Sequence, residues 1–174
     1  RNRTARHSDK RRVGKIIMAT TTNSKTVLVI EARYYDKIAD NMVTGATPVI
    51  EAAGLTIERI SVPGTFEIPA ACEMAIQAGQ KDPHLKYAGI LALGCVIRGQ
   101  TDHYDHICRE TSRAIMEMTV DHRYPIGFGV LTCENMAQAD ERADPNQKNK
   151  GAEAATAVIR MIELRRHFQG RADD

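Results

Sequence analysis

The segment YAGILALGCV, residues 87–96, decides the fold, because apolar side chains or glycines fill all but its first position. A strand with one solvated face alternates apolar and polar residues, whereas a continuous apolar run is typical of a strand that is covered on both faces. The segment therefore predicts the central strand of a parallel sheet with helices on each side.

Shorter strand-like segments and longer segments of helical periodicity alternate on either side of this strand. Gly54 marks the end of the first helix, Pro48 predicts a kink within it, and Pro69 marks the start of the second. Predicted strands cover residues 26–32, 56–62, 87–96 and 125–132, and predicted helices cover residues 36–53, 69–78, 102–120, 135–143 and 148–167. Because strands separated by helices pair in parallel through right-handed crossovers, we expect a flavodoxin-like three-layer α/β sandwich with a four-stranded parallel sheet.

Length and composition fit one domain. We assign residues 26–168 of the 174 to a single catalytic domain and residues 169–174 to a C-terminal tail. Hydrophobic residues make up 43% and charged residues 26%, as in ordinary soluble domains, and no apolar stretch approaches the roughly twenty residues of a membrane helix. The four cysteines have no CxxC spacing, which favours buried thiols and a cytoplasmic location over a disulfide framework.

Residues 1–25 predict a basic, disordered N-terminal arm. Its first fifteen residues hold seven lysines and arginines against one acid, Asp9, which leaves the rest of the chain with a net negative charge. Nucleic-acid contact and an organelle transit peptide are alternatives for the arm. The body is not basic, so we do not expect nucleic acid as a partner.

The residues that follow the predicted strands point to a binding site. Ligands of open parallel sheets bind beyond the carboxyl ends of the strands, where helix N-termini and loop amides converge. The four segments at this edge, residues 33–35, 63–67, 98–103 and 133–135, supply aromatic rings, carboxylates and phosphate-binding groups.

Residues 99–101 open the third helix, so free backbone N–H groups there form a candidate anion site. The alternative is that Thr101 or Asp102 only caps the helix. His103 lies on the first turn, where the helix dipole favours a neutral imidazole that can act as a base, although a structural histidine is the alternative. His106 could share a metal with it, but no third ligand is in register, so we expect no metal.

Aromatic and charged side chains elsewhere at this edge have two interpretations each. Phe66 and Tyr34 could stack on a planar ring and Glu67 could bind its hydroxylated substituent, or all three could serve rim packing and helix capping. Arg142 and Lys150 could bind a phosphate, or be solvated surface charges.

Four segments taken together resemble the signature segments of the lumazine synthase (6,7-dimethyl-8-ribityllumazine synthase) family. They are VPGTFEIP (residues 62–69), GCVIRGQTDHYD (94–105), GVLTCENMAQADERA (129–143) and NKG (149–151). The similarity extends over residues 26–168 in the family's order. It implies a transferase of riboflavin biosynthesis that condenses 5-amino-6-(D-ribitylamino)uracil with 3,4-dihydroxy-2-butanone 4-phosphate, releases phosphate and water, and needs no metal or organic cofactor.

The resemblance also implies roles for individual residues. His103 would lie beside the bound phosphate and move protons. The residues implied to hold the pyrimidine and its ribityl chain are Tyr34, Thr65, Phe66, Glu67, Cys95, Val96 and Ile97. Those implied to bind the phosphate or close the site are Gln100, Thr101, Phe128, Arg142 and Lys150, with Phe128 and Arg142 acting across a subunit interface.

Because the family's sites lie between subunits, the resemblance implies a homo-oligomer built on pentamers, and it leaves decamers and sixty-subunit shells open. Tyr34, Tyr35 and Gln100 depart from residues common in relatives, which concerns substrate affinity more than the class of reaction.

Two other protein classes fit less well. A phosphotransfer receiver needs an aspartate at the end of a central strand, whereas the first strand is followed by Arg33 and the third runs through Gly94 and Cys95. A non-catalytic flavin or lumazine binder is compatible with Tyr34, but the presence of His103 and Arg142 argues against it.

Overall fold

The computed structural model describes residues 25–170. The strands are β1 (Thr26–Ala32), β2 (Thr56–Val62), β3 (Gly89–Ile97) and β4 (Ile126–Cys133), and the longer helices are α1 (Asp36–Ala52), α2 (Ile68–Lys81), α3 (His103–Asp121), α4 (Met136–Ala143) and α5 (Lys150–Gly170). All strand pairs are parallel, in the order β2-β1-β3-β4. This confirms the predicted α/β fold with a four-stranded parallel sheet. The predicted N-terminal arm lies outside the described residues, except for Lys25.

Two apolar cores lie on opposite faces of the sheet, and β3 contributes to both. Leu91 and Leu93 face the core formed with α1, α4 and α5, whereas Ile90 and Ala92 face the core formed with α2 and α3. All four side chains are almost fully buried. Burial on both faces explains why β3 has no polar alternation.

Some helix boundaries differ from the predicted ones for identifiable reasons. α2 begins at Ile68 and is preceded by a single 3-10 turn, Thr65–Glu67. α5 begins at Lys150 rather than at residue 148, because Asn149 has a left-handed backbone (φ 44°) that cannot continue a helix. The Asn149 side chain instead accepts a hydrogen bond from the backbone N–H of Ala152. α1 continues past Pro48 to Ala52, and α5 extends two residues into the predicted C-terminal tail.

α1 and α5 cross unusually closely at two glycines. A Cβ atom on Gly151 would overlap the backbone carbonyl of Met42, and one on Gly45 would overlap the side chain of Asn149. The crossing therefore requires glycine at position 151, where the obstacle is backbone, whereas a Cβ at position 45 would displace the Asn149 side chain that holds the turn before Lys150 against α1.

Candidate active site

The carboxyl ends of β1 and β3, the turn after β2 and the first turns of α3 surround a cavity of about 670 Å³. Eight of the residues predicted for the site line it: Tyr34, Thr65, Phe66, Glu67, Cys95, Val96, Ile97 and His103. The structure thus brings together residues from three separate loops, at the edge of the sheet where parallel α/β proteins bind ligands.

Two aromatic rings stand exposed at the mouth of this cavity. Tyr34 is 73% exposed and Phe66 is 56% exposed, although both side chains are large and largely apolar. Tyr34 meets Tyr35 edge to face, with ring centroids 4.9 Å apart. Burial raises the pKa of Tyr35, so its phenol remains protonated at neutral pH. Exposed rings beside a cavity suit the stacking of a flat heterocycle.

A buried carboxylate fixes the loop that carries Tyr34. Glu31, which is only 4% exposed, accepts hydrogen bonds from Arg59 (Nη2 to Oε1, 2.8 Å) and from Arg33 (Nη1 to Oε2, 3.3 Å). Arg33 also binds Asp36 and Asp40 at the start of α1. A buried charge is tolerated only when it is paired, and here the pairing ties β1, β2 and α1 together directly beside Tyr34.

The turn after β2 is attached to β3 and leaves one carboxylate available. The Thr65 hydroxyl donates a long hydrogen bond to the Cys95 carbonyl (3.4 Å). Glu67 occupies the cap position of α2, but its side chain makes no capping hydrogen bond, and it forms no ion pair within residues 25–170. The capping alternative for Glu67 therefore has no support, and its exposed carboxylate is available to a ligand.

Cys95 lines the cavity as a neutral group. Burial raises the pKa of its thiol to about 12, so the side chain is not a thiolate nucleophile at neutral pH. Its contribution to the cavity is an apolar surface and a strand backbone.

Arg98 holds the segment between β3 and α3. Its guanidinium binds both carboxylate oxygens of Asp105 (3.0 and 3.2 Å), donates from Nε to Glu134 (3.1 Å) and lies 4.0 Å from the centre of the Tyr104 ring. Bidentate pairing and stacking together define one orientation of an arginine. The turn formed by residues 99–102 is thus anchored at both ends while its own side chains stay exposed.

The opening of α3 is only lightly capped. Asp102 makes no capping hydrogen bond, and within residues 25–170 the only side-chain acceptor for a backbone N–H at this opening is Thr101 Oγ1, which accepts a long bond from His103 (3.4 Å). His106 contacts the Asp102 carboxylate (3.4 Å), whereas the His103 ring has no polar partner among the described residues. Gln100 and Thr101 lie in the turn just before His103, outside the residues that line the cavity.

Three predicted site residues lie away from the cavity of their own chain. Phe128 is on β4, Arg142 on α4 donates to the carbonyl of Gln138 (3.2 Å), and Lys150 pairs with Glu153 (2.6 Å). None of the three lines the cavity.

Four further residues line the cavity without having been predicted to bind substrate: Tyr35, Gly64, His106 and Ile107. The positions of His106 and Ile107 could have been predicted, because residues three and four positions after His103 share its face of the helix. Tyr35 lies in the predicted edge segment 33–35, but a residue that leaves a strand can turn toward the core or toward solvent, so the orientation of its side chain could not be predicted.

The fold and site define a class: a parallel α/β protein whose ligand cavity, at the carboxyl edge of the sheet, joins exposed aromatic rings to an imidazole at a helix opening. A family model described as 6,7-dimethyl-8-ribityllumazine synthase matches residues 24–166. The chain belongs to the 6,7-dimethyl-8-ribityllumazine synthase family.

Individual relatives agree with this assignment. The 6,7-dimethyl-8-ribityllumazine synthase of Agrobacterium fabrum is 46% identical over 144 residues, which cover 83% of this chain and 97% of the relative. The proteins of the same name from Azorhizobium caulinodans (44% identical, 80% of this chain and 86% of the relative) and Paramagnetospirillum magneticum (43% identical, 82% and 95%) are similar over comparable lengths. Separately, every helix within residues 25–170 is too short or too polar to cross a bilayer.

Proposed function

We infer that the protein condenses 5-amino-6-(D-ribitylamino)uracil with 3,4-dihydroxy-2-butanone 4-phosphate to give 6,7-dimethyl-8-(D-ribityl)lumazine, phosphate and water, as a transferase of riboflavin biosynthesis. The family match over residues 24–166 is the observation that carries this function. The cavity at the carboxyl edge of the sheet supplies a site of suitable size and lining for it.

The reaction asks for positioning more than for a reactive protein group. The 5-amino group attacks the ketone and water leaves to form an imine; phosphate is then eliminated, and the remaining carbonyl chain closes onto the ribityl-bearing nitrogen with loss of a second water. The substrates provide the nucleophile, the electrophile and the leaving group, so the route needs no cofactor. The protein's tasks are to hold two molecules in contact, to bind the departing phosphate and to relay protons.

The aromatic side of the cavity suits the pyrimidine. In this proposal the ring lies against Tyr34 and Phe66, whose faces are exposed at the mouth. Glu67, whose carboxylate has no partner within residues 25–170, accepts hydrogen bonds from the ribityl hydroxyls. Thr65 and the backbone of residues 95–97 complete the contacts with the ring edge and the chain.

The opening of α3 suits the phosphate. Backbone N–H groups at a helix N-terminus favour an anion, and the polar side chains of Gln100 and Thr101 stand exposed there. His103 follows directly and its ring has no polar partner within residues 25–170, so it can exchange protons with the phosphate and the imine.

Replacing His103 with alanine is expected to lower kcat by about 10-fold to 100-fold, because proton relay contributes modestly to a reaction that depends on proximity. His84→Ala, an exposed histidine in the turn before β3 that lines neither cavity, is the control and should lose less than about threefold. The measurement is the steady-state rate of lumazine absorbance above the spontaneous reaction. Equal losses in the two variants would contradict the assignment, and no excess rate for the unmodified protein would indicate a non-catalytic binder.

The active unit is a homo-oligomer in this proposal, and uncovered apolar surface supports it. On the face of the sheet that packs against α2 and α3, Ile126 and Val130 are buried but Phe128 between them is 43% exposed. α3 buries only Thr111 and Ile115 fully, and leaves Met116 and Val120 exposed. Apolar surface of this kind is typical of subunit interfaces. A neighbouring subunit would then deliver the phosphate ligands that the chain's own cavity lacks.

Phe128→Asp is expected to break this assembly, because a charge would be buried at the interface without a partner. Light scattering should give the unmodified protein a mass of a pentamer or a multiple of it, and the variant a smaller species with little activity. Leu85→Asp, a similarly exposed apolar residue in the turn before β3, is the control and should keep both properties. A monomeric unmodified protein with full activity would contradict the proposal.

We propose the cytoplasm as the location. The four cysteines of the chain are all free thiols in the structure, and three of them are buried. Free thiols are typical of a reducing compartment.

A further inference from the structure

A second cavity, of about 630 Å³, lies at the opposite end of the sheet, where β3 and β4 begin. The last turns of α2, α3 and α5 and the residues just before β4 surround it. It shares no lining residue with the active-site cavity, and the proposed reaction makes no use of it.

The lining of this second cavity has an unbalanced charge. Lys86, Arg123 and Arg165 contribute three cations, and no aspartate or glutamate is among the lining residues. None of the three forms an ion pair with a carboxylate within residues 25–170. His122, the remaining titratable base of the lining, is already engaged with Glu73 (Nε2 to Oε2, 2.9 Å).

Arg165 is the most buried of these three cations. Its Nη2 donates to the Ala88 carbonyl (2.7 Å) and its guanidinium lies 5.2 Å from the centre of the Tyr124 ring. Its Nε is buried without a hydrogen-bond partner. Burial lowers the pKa of this guanidinium, which means that the surroundings disfavour its charge. A partly buried cation without a counter-ion is costly, and binding an anion would remove that cost.

The carbonyl ends of the three helices offset only part of this charge. Each helix C-terminus contributes roughly half a negative charge, so the three together do not neutralise three full cations. Beside them stand apolar side chains of the same lining: Ile76 is buried, whereas Met161 and Phe168 are exposed, the latter by 63%. Cations next to uncovered apolar surface fit a ligand that has both a charged head and an apolar body.

We infer that this second cavity is a binding site for a small organic anion, whose carboxylate or phosphate pairs with Lys86, Arg123 and Arg165 and whose apolar body packs against Met161 and Phe168. The site is independent of the condensation reaction, because the two cavities lie at opposite ends of the sheet.

The test compares two dyes of similar shape in fluorescence titrations of the full chain. 8-Anilinonaphthalene-1-sulfonate carries an anionic group, and N-phenyl-1-naphthylamine is its uncharged counterpart. The sulfonate is expected to bind at least about tenfold more tightly, as charge-assisted hydrogen bonds imply. Lys86→Met and Arg165→Met should each remove most of that preference. Arg160→Met, an exposed arginine on the same helix that pairs with Glu163, is the matched control and should leave the titration unchanged.

Competition then distinguishes the head group. Displacement of the sulfonate by phenyl phosphate or by benzoate supports the site, and the stronger competitor identifies the preferred anion. Lys86→Met keeps the test decisive if Arg165→Met fails to fold. Equal binding of the two dyes, equal effects of Lys86→Met and Arg160→Met, or no displacement by either competitor would overturn the inference. Sulfonate binding that appears only after removal of residues 171–174 would also overturn it, because the chain's own two terminal aspartates would then be the occupant.

Discussion

Gly151→Ala is expected to destabilise the fold by about 3 kcal/mol, at the upper end of what overpacking costs. The added Cβ would overlap the Met42 backbone carbonyl, which belongs to the interior of α1 and cannot rotate away as a side chain would. The two helices would have to separate along their crossing. We expect the midpoint of urea unfolding to fall markedly, and activity to fall with it, because Lys150 directly precedes Gly151.

Gly170→Ala is the matched control for this change. Gly170 belongs to the same helix, but a Cβ there would meet nothing within 4 Å. Alanine at that position should leave the midpoint unchanged or raise it slightly, since alanine favours a helix more than glycine does. If Gly151→Ala also left the midpoint within the error of the control, the close crossing of α1 and α5 would not be a requirement of the fold.

Arg142→Ala is expected to raise the KM for 3,4-dihydroxy-2-butanone 4-phosphate by about 10-fold to 100-fold, the effect of losing a charge-assisted pair of hydrogen bonds. The KM for the pyrimidine should change by less than about threefold. Within residues 25–170 of its own chain Arg142 uses only Nη1 as a donor, to the Gln138 carbonyl (3.2 Å) and to the Glu141 carboxylate (3.5 Å). The rest of the guanidinium fork is therefore available for a phosphate.

Lys148→Ala is the control for a nearby cation. Lys148 pairs with the same Glu141 (3.3 Å), so its removal changes the local charge without removing a proposed phosphate ligand. Both KM values should stay close to those of the unmodified protein. Equal increases for both substrates in Arg142→Ala would contradict a phosphate role, and would indicate a general disturbance of α4.

Much of the fold could be predicted from the sequence, because buried positions are occupied by apolar residues. The apolar run around residues 89–97 must lie between two layers of helices, and the helices between strands force parallel pairing. The start of α5 did not follow, since it depends on the left-handed backbone of Asn149. The 3-10 turn after β2 could not be predicted either, because a single turn leaves no periodic pattern in the sequence.

Part of the site could also be predicted from the sequence, and part could not. Tyr34, Phe66 and His103 meet at one cavity because each follows a parallel strand, and a sequence that predicts the sheet also predicts that meeting. Phe128, Arg142 and Lys150 could not be placed from the chain's own pattern. The contacts proposed for Phe128 and Arg142 lie across a subunit interface, and Lys150 pairs with Glu153 in its own chain. The resemblance to the family suggested those three.

The most direct test of the proposed site is a crystal structure of the protein with inorganic phosphate and an unreactive analogue of the ribitylaminouracil. We predict phosphate within hydrogen-bond distance of Gln100, Thr101 and His103, and the flat ring against Tyr34 and Phe66. A structure with no anion at the opening of α3, and with the ring bound at another edge of the sheet, would contradict the assignment.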